Sequence, residues 1–289
     1  MPYIIKTKQN TKERHLQSGV PHSGKSFNLP TFIYGGDYTD EDGNLTPEAI
    51  ENAGDRHMYI VSSPGEQGHK TLPTDLPHIT SYVPEMKESD SLEWSRQSVA
   101  EFEDVVNTVL SSGSNNYILA LDGVHAYYKH VLNIITSGSY LKGEEFEQVL
   151  YGRAHSKFGN FMAKLYNSAI PLIICTTWEE WEARAGNDPV RFRDANQPQY
   201  LWPAIPGQMA KAVVGMFDSR LSCRLEKTCF HSNCEESGKR EHHVWQFMDG
   251  GAVRGVGIKG LRKITKKMKQ IPFIHQDYFA LKRLMEACS

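Results

Sequence analysis

The stretch Gly19-Val20-Pro21-His22-Ser23-Gly24-Lys25-Ser26 decides how this chain is read. It fits the phosphate-loop pattern G-x-x-x-x-G-K-[ST] at every fixed position. The glycines let backbone amides curl around a polyphosphate, Lys25 has the reach for the β- and γ-phosphates, and Ser26 offers its hydroxyl to Mg²⁺. Gly19, Val20, Pro21, His22, Ser23, Gly24, Lys25, Ser26 and Phe27 are therefore the candidate nucleotide contacts. The motif calls for a strand before it and a helix after it, whose N-terminus favours anions. Glu13–Ser18 is polar for a central strand, and Pro30 is expected to end the following helix early.

A metal held by Ser26 needs a carboxylate partner at the tip of a buried strand. Tyr117-Ile118-Leu119-Ala120-Leu121-Asp122 supplies one, which makes Asp122 the second candidate Mg²⁺ ligand. The next residue is Gly123, not an acid, so the group that activates water must come from elsewhere. Glu66, just beyond the strand candidate His57–Ser63, is the candidate base; its other reading is a solvated loop side chain. Ile173-Ile174-Cys175-Thr176-Thr177 puts two hydroxyls at a carboxyl-terminal strand edge, the edge that faces ligands in open parallel sheets. Thr176 is thus a candidate γ-phosphate sensor or water ligand, or else a cap for Trp178–Trp181. Arg184, Arg191 and Arg193 are candidates for neutralising transition-state charge in a neighbouring subunit.

Together these residues resemble a RecA-like P-loop ATPase. They are most similar to the phage-encoded AAA-type ATP-binding proteins that accompany single-strand annealing and recombination. The resemblance is carried by Gly19–Ser26, Glu66, Leu119–Asp122 and Ile173–Thr177, then by Ile205–Met209 and by Asp218 ahead of Arg224–Glu226. It implies ATP and Mg²⁺-dependent hydrolysis, and a mainly parallel twisted sheet with helices on both faces. It also implies a homo-oligomeric ring or filament on single- or double-stranded DNA, in the host cytoplasm if the chain is phage-encoded.

The rest of the chain alternates apolar runs with helix-like stretches, the pattern of an α/β fold. Thr46 and Pro47 open a short helix, inside an insertion at about residues 36–56. Asp90 and Glu93 have capping-box spacing, and Val99, Phe102, Val105, Val106, Val109 and Leu110 share a helical face. A helix is expected from Glu144 to Tyr166, interrupted near Gly152 and Gly159. Strands are expected at Pro171–Cys175, Ala212–Phe217 and Cys223–Glu226, with Val244–Met248 returning antiparallel to the last. The expected division is a core over 1–253 and a basic segment with a terminal helix (Gln276 to Ala287) over 254–289, a small β-rich and basic extension.

With 32 basic and 34 acidic residues among 289, the chain is no globally basic nucleic-acid coat. Any DNA or RNA contact must be local, and the run from Arg254 to Lys269 is the candidate, through Lys259, Arg262, Lys263, Lys266 and Lys267. No apolar run approaches the ~18–20 residues of a bilayer span, and five cysteines argue against a disulfide framework, so a soluble cytoplasmic protein is expected. Cys223, Cys229, His231, Cys234, His242 and His243 crowd into one segment; Cys229-x4-Cys234 with His242 or His243 is tolerable spacing for a structural Zn²⁺, but there is no C-x-x-C pair, and the default reading is a polar hairpin tip with incidental cysteines. Asp37–Asn44 is no calcium loop: with Gly43 at the sixth position, Tyr38 and Ala49 stand at the first and twelfth, where acids are required. Two other functions stay open: a nucleotide-dependent switch or assembly protein that does not hydrolyse, and a zinc-stabilised nucleic-acid-binding module.

Overall fold

The computed structural model describes residues 12–66, 76–84, 92–140, 147–182, 200–205, 207–229, 238–249, 256–259 and 265–288. In chain order these form β1 (Glu13–Gly19), α1 (Thr31–Tyr34), α2 (Pro47–Ala53), β2 (His57–Ser62), β3 (Ile79–Tyr82), α3 (Leu92–Ser112), β4 (Tyr117–Asp122), α4 (Val124–Tyr140) and α5 (Glu147–Asn167). They continue as β5 (Leu172–Glu182), β6 (Tyr200–Pro203), α6 (Gly207–Met216), β7 (Ser219–Glu226), β8 (His242–Gln246), β9 (Gly257–Ile258), α7 (Lys266–Gln270), β10 (Phe273–His275) and α8 (Tyr278–Cys288).

The strands form one sheet in the order β10-β8-β7-β1-β5-β4-β2-β3, with β6 paired to β5 and β9 to β7. From β7 to β3 the pairing is parallel, and β8 and β10 extend the sheet antiparallel. The apolar runs of β4 and β5 follow from burial on both faces. Ile118, Ala120, Leu172 and Ile174 meet α1, α2 and α8 on one side. Leu119, Leu121, Ile173 and Cys175 meet α3, α4, α5 and α6 on the other. The architecture is a mainly parallel α/β sheet with helices on both faces, and β1, which leads into Gly19–Ser26, lies in its middle.

β1 is central despite its polar sequence, because its side chains are buried in pairs. The Arg14 guanidinium donates to the carbonyls of Pro171 (3.3 Å), Ser168 (3.2 Å) and Tyr166 (3.4 Å), tying the strand to the end of α5. His15 Nδ1 lies 2.7 Å from Ser219 Oγ, and Ser18 donates to Glu179 at 2.7 Å. Paired in this way, buried polar groups escape most of the desolvation penalty.

Several local expectations need correction. No regular helix follows the phosphate loop: turn bonds such as Asn28 N–H to Gly24 O (3.0 Å) fill the interval, and α1 starts only at Thr31. Pro30 opens that helix instead of ending one, since its φ of −57° suits a helix start. Residues 212–217 are mostly helical, because Met209, Val213 and Met216 sit at helical spacing on the core side with α5. α5 runs unbroken through Gly152 and Gly159. β5 continues to Glu182, so Thr176 caps no helix. Thr46 does cap α2, accepting from the Ala49 amide. β8 does return antiparallel to β7, with Cys223 opposite Trp245. The described residues after 253 add β9 and β10 to the same sheet and α8 to the same core. No described helix is long and apolar enough to cross a membrane.

Replacing Arg14 with Leu removes the donor shared by the carbonyls of Glu13, Tyr166, Ser168 and Pro171, of which Pro171 keeps the Glu13 amide. We expect a loss of about 2 kcal/mol, or about 4–8 °C in Tm, in thermal denaturation.

Candidate active site

β1 delivers Gly19 to the carboxyl edge of the sheet, and the chain then folds over that edge. His22 and Gly24 take left-handed φ values of 63° and 87°. A side chain at Gly19 would overlap Ser23 Oγ, and one at Gly24 would press on His243 Nδ1 at 2.8 Å. The Ser23 carbonyl is held from the far end of the chain, by His243 Nδ1 (3.2 Å) and by the Gln276 amide (3.3 Å). Lys25 is buried and folded onto its own loop, donating to the carbonyls of Gly19 (3.0 Å) and Val20 (2.9 Å). Burial pulls its pKa down, opposed by Cys223 and the carboxylates of Asp122, Glu66 and Glu179. Such a lysine is poised to exchange two carbonyls for phosphate oxygens.

Ser26 reaches across to β4 and donates to Asp122 Oδ1 at 2.9 Å. Thr176, on β5, donates to the same oxygen at 2.6 Å and accepts from the Gly123 amide at 2.8 Å. Asp122 is 1% exposed. Burial, reinforced by the charge of Glu66, raises its pKa, while the hydroxyls and Lys25 oppose the rise. Its Oδ2 is buried without a hydrogen-bond partner among the described residues. A hydroxyl and an unsatisfied buried carboxylate oxygen, both hard oxygen donors, fit Mg²⁺.

Glu66 reaches this point from β2. Ser63-Pro64-Gly65-Glu66 makes a turn closed by the Glu66 amide on Ser63 O (3.0 Å), with Gly65 at φ 83°. The Glu66 side chain then lies directly over Gly123, where an added Cβ would fall 2.0 Å from its Cγ. His125 Nε2 is 3.1 Å from Glu66 Oε1. The other ring nitrogen accepts the Trp178 amide (3.4 Å), which leaves the proton on the nitrogen facing Glu66. The ring also packs on Trp178, with centroids 4.7 Å apart.

The structure thus brings Lys25, Ser26, Glu66, Asp122 and Thr176 to one place. His125 was missed because α4 itself was not read. Also missed was a brace beneath the loop: buried Glu179 accepts from Ser18 (2.7 Å), Arg220 (3.2 Å) and Arg224. Lys259 lies elsewhere: its amide bonds to Asp218 O ahead of β7, at the edge away from the loop, and its ammonium to Gly215 O (2.9 Å). Lys267 sits on α7 and Lys266 begins it, whereas Arg184, Arg191, Arg193, Arg262 and Lys263 lie outside the described residues. Zinc finds no support. Among the described residues no three His, Cys, Asp or Glu gather around a metal position, and His231 and Cys234 lie outside them. Cys223 is a core thiol whose pKa burial pushes up to about 12.

Among solved structures, the chain is similar to the assembled ATPase EscN of the enteropathogenic E. coli type III secretion system in complex with its central stalk EscO. The TM-score is 0.41 at 12% identity, covering 74% of this chain and 42% of that one. Assembled EscN gives a TM-score of 0.39 at 13% identity, covering 73% and 43%. The chain therefore spans less than half the length of those ATPase chains. No family model and no curated protein matches it.

Two substitutions test this geometry. A buried carboxyl with a raised pKa keeps its proton to higher pH in the folded than in the unfolded state. Stability therefore falls as pH rises from the unfolded value of 3.8 through the folded one. Asp122→Asn should raise the Tm of the nucleotide-free protein at neutral pH by about 2–4 °C, as ~1 kcal/mol would, and the gain should vanish as pH approaches the unfolded value. Gly123→Ala combines a left-handed φ with overlap onto Glu66 and should cost about 1–3 kcal/mol in denaturant unfolding.

Proposed function

We propose that the chain binds ATP with Mg²⁺ and hydrolyses it at the cluster of Lys25, Ser26, Asp122, Glu66 and Thr176. The observation that carries this reading is the meeting of the Ser26 hydroxyl with Asp122, whose second oxygen is buried and unsatisfied. Loop amides and Lys25 bind the phosphates, Lys25 leaving the Gly19 and Val20 carbonyls as it does so. Ser26 and Asp122 would hold the metal, which when bound neutralises charge on the β- and γ-phosphate oxygens.

Glu66 is the group that takes the proton from the attacking water. His125 donates to Oε1 and leaves Oε2 for that water. With the ring held on its other side by the Trp178 amide, His125 positions the Glu66 carboxylate. Thr176 orients the Asp122 carboxylate through their 2.6 Å bond. The burial of both carboxylates strengthens each of these contacts, since electrostatics grow as water is excluded.

The reading extends to work on DNA in recombination or annealing, by an oligomeric ring or filament. Its support is the sequence resemblance and the basic run over residues 254–269.

Lys25→Ala should abolish ATP binding, and turnover at the wild-type rate would refute the assignment. Glu66→Gln should still bind ATP while phosphate release falls about 10²–10⁴-fold. Equilibrium binding and a phosphate-release assay, run with and without single-stranded DNA, separate hydrolysis from a switch that only holds nucleotide.

A further inference from the structure

Next to the phosphate loop lies a cleft of about 680 Å³ that the chemistry above leaves unused. Phe27, Asn28 and the stretch from α1 to Glu48 of α2 contribute part of its lining. The rest comes from Glu241 and the start of β8, and from Gln276, Asp277 and Phe279 after β10. We infer that this cleft is a second ligand site, separate from the nucleotide, for a small organic polycation of the linear polyamine class. The inference goes beyond ATP hydrolysis and stands whether or not the loop holds a triphosphate.

Three observations fix the class of ligand, and the volume falls within the ~300–1,000 Å³ of small-ligand pockets. Charge is the first: the lining holds the four carboxylates of Asp37, Glu48, Glu241 and Asp277 against the two guanidinium groups of Arg240 and Arg283. Arg283 already pairs with Asp277, at 3.6 Å. Asp37, Glu48 and Glu241 are exposed and enter no ion pair among the described residues. They come from both parts of the lining, so a ligand with separated cations can meet them together, whereas an anion is repelled. The second observation is a pair of open acceptors. Asn28 Nδ2 donates to Gln276 Oε1 at 2.7 Å, which leaves Asn28 Oδ1 facing no donor. That oxygen and the Tyr38 hydroxyl are buried without a hydrogen-bond partner among the described residues, on side chains 3% and 6% exposed. Buried polar atoms are ordinarily satisfied, and an ammonium group, which only donates, suits both oxygens. Third, aromatic side chains line the same space: Tyr34, Tyr38, Phe279 and Phe27, the last left 50% exposed. Such rings attract ammonium groups and pack the methylenes between them.

The cleft adjoins the phosphate loop without sharing its bonds. Gln276 donates to the carbonyls of Ser23 (3.3 Å) and Val244 (3.0 Å) while it accepts from Asn28. An amine on Asn28 Oδ1 leaves all three bonds in place, so the cleft can fill while the loop keeps its curvature.

Titration calorimetry of the nucleotide-free full chain with spermidine tests the assignment, at about 150 mM salt to screen non-specific attraction. Spermidine should fill one saturable site, and citrate, the anionic control, should fill none. Glu241→Gln and Asp37→Asn, both at exposed positions, should each weaken spermidine about threefold or more. Tyr38→Phe, which removes only the buried hydroxyl, should weaken it by about as much. Asp104→Asn removes a carboxylate on α3, across the sheet, and should stay within about twofold of the wild type. Heat that does not saturate, citrate bound as tightly as spermidine, or wild-type affinity in the three cleft variants overturns the cleft assignment. So does an equal loss in Asp104→Asn and Glu241→Gln. Lys25→Ala should lose MgATP and keep spermidine. If it keeps both, the loop reading alone falls; if the spermidine results fail while MgATP is lost, the cleft alone falls.

Discussion

The parallel hydrogen-bond register of β1, β5, β4 and β2 is the constraint on which the site depends. Gln17 lies opposite Thr176, Leu121 opposite Cys175, and Ser62 opposite Asp122. That alignment brings the ends of β2 and β4 level with Thr176 inside β5, with β1 ending two residues further on. The loop after β1, the Thr176 hydroxyl, the Asp122 carboxylate and the turn to Glu66 therefore emerge side by side. Side chains alternate faces along a strand, so a one-residue slip of β4 would exchange Leu121 and Asp122. The slip would bury a carboxylate among α3–α6 and present a leucine to Ser26, so core packing and site chemistry enforce the same register.

The site also stores charge where water is scarce. Lys25, Asp122 and Glu179 are buried, and Glu66 is only partly exposed. Burial raises the Asp122 pKa and lowers that of Lys25, so desolvation disfavours both charged forms in the resting protein. The ammonium offsets this by donating to two loop carbonyls. Beneath the loop, Arg220 and Arg224 neutralise Glu179, and Arg220 itself is pulled down to about 10 by burial. On the proposed reading, a magnesium–polyphosphate complex would supply the charges these groups lack: anionic oxygens for Lys25 and a cation for the open oxygen of Asp122.

The nucleotide motifs were legible because they are written in short local runs. The phosphate loop is contiguous, Asp122 ends an apolar run, and Pro64-Gly65 announces the turn that aims Glu66. Position along the chain hid the rest. β1 looked too polar for a central strand because its partners, Ser219, Glu179 and the end of α5, are remote in sequence. α4 carries buried aromatics at Tyr127 and Tyr128 with no capping signal at its start, so neither the helix nor His125 stood out. The apolar run over 212–217 reads equally as strand or helix by composition, and only packing on α5 settles it. The His243 and Gln276 contacts with Ser23 join positions more than two hundred residues apart, beyond any local pattern.

Gly123 shows how an apparent gap in a motif can be the imprint of another residue. In the sequence, a glycine after Asp122 removes the adjacent acid and leaves the water-activating group to come from elsewhere. In the fold, that glycine adopts φ 84°, and the space above its Cα is filled by the Glu66 side chain arriving from β2. An acid at 123 and an acid from the neighbouring strand compete for one volume, so this chain holds only the second. The consequence reaches α4. With Glu66 approaching over Gly123, the residue best placed to orient it is His125, whose ring is anchored in turn by the Trp178 amide on β5. Glu66 is thereby referenced to β2, to α4 and to β5 at once. Any motion of β5 beyond Thr176 would be felt by Glu66 through a single imidazole.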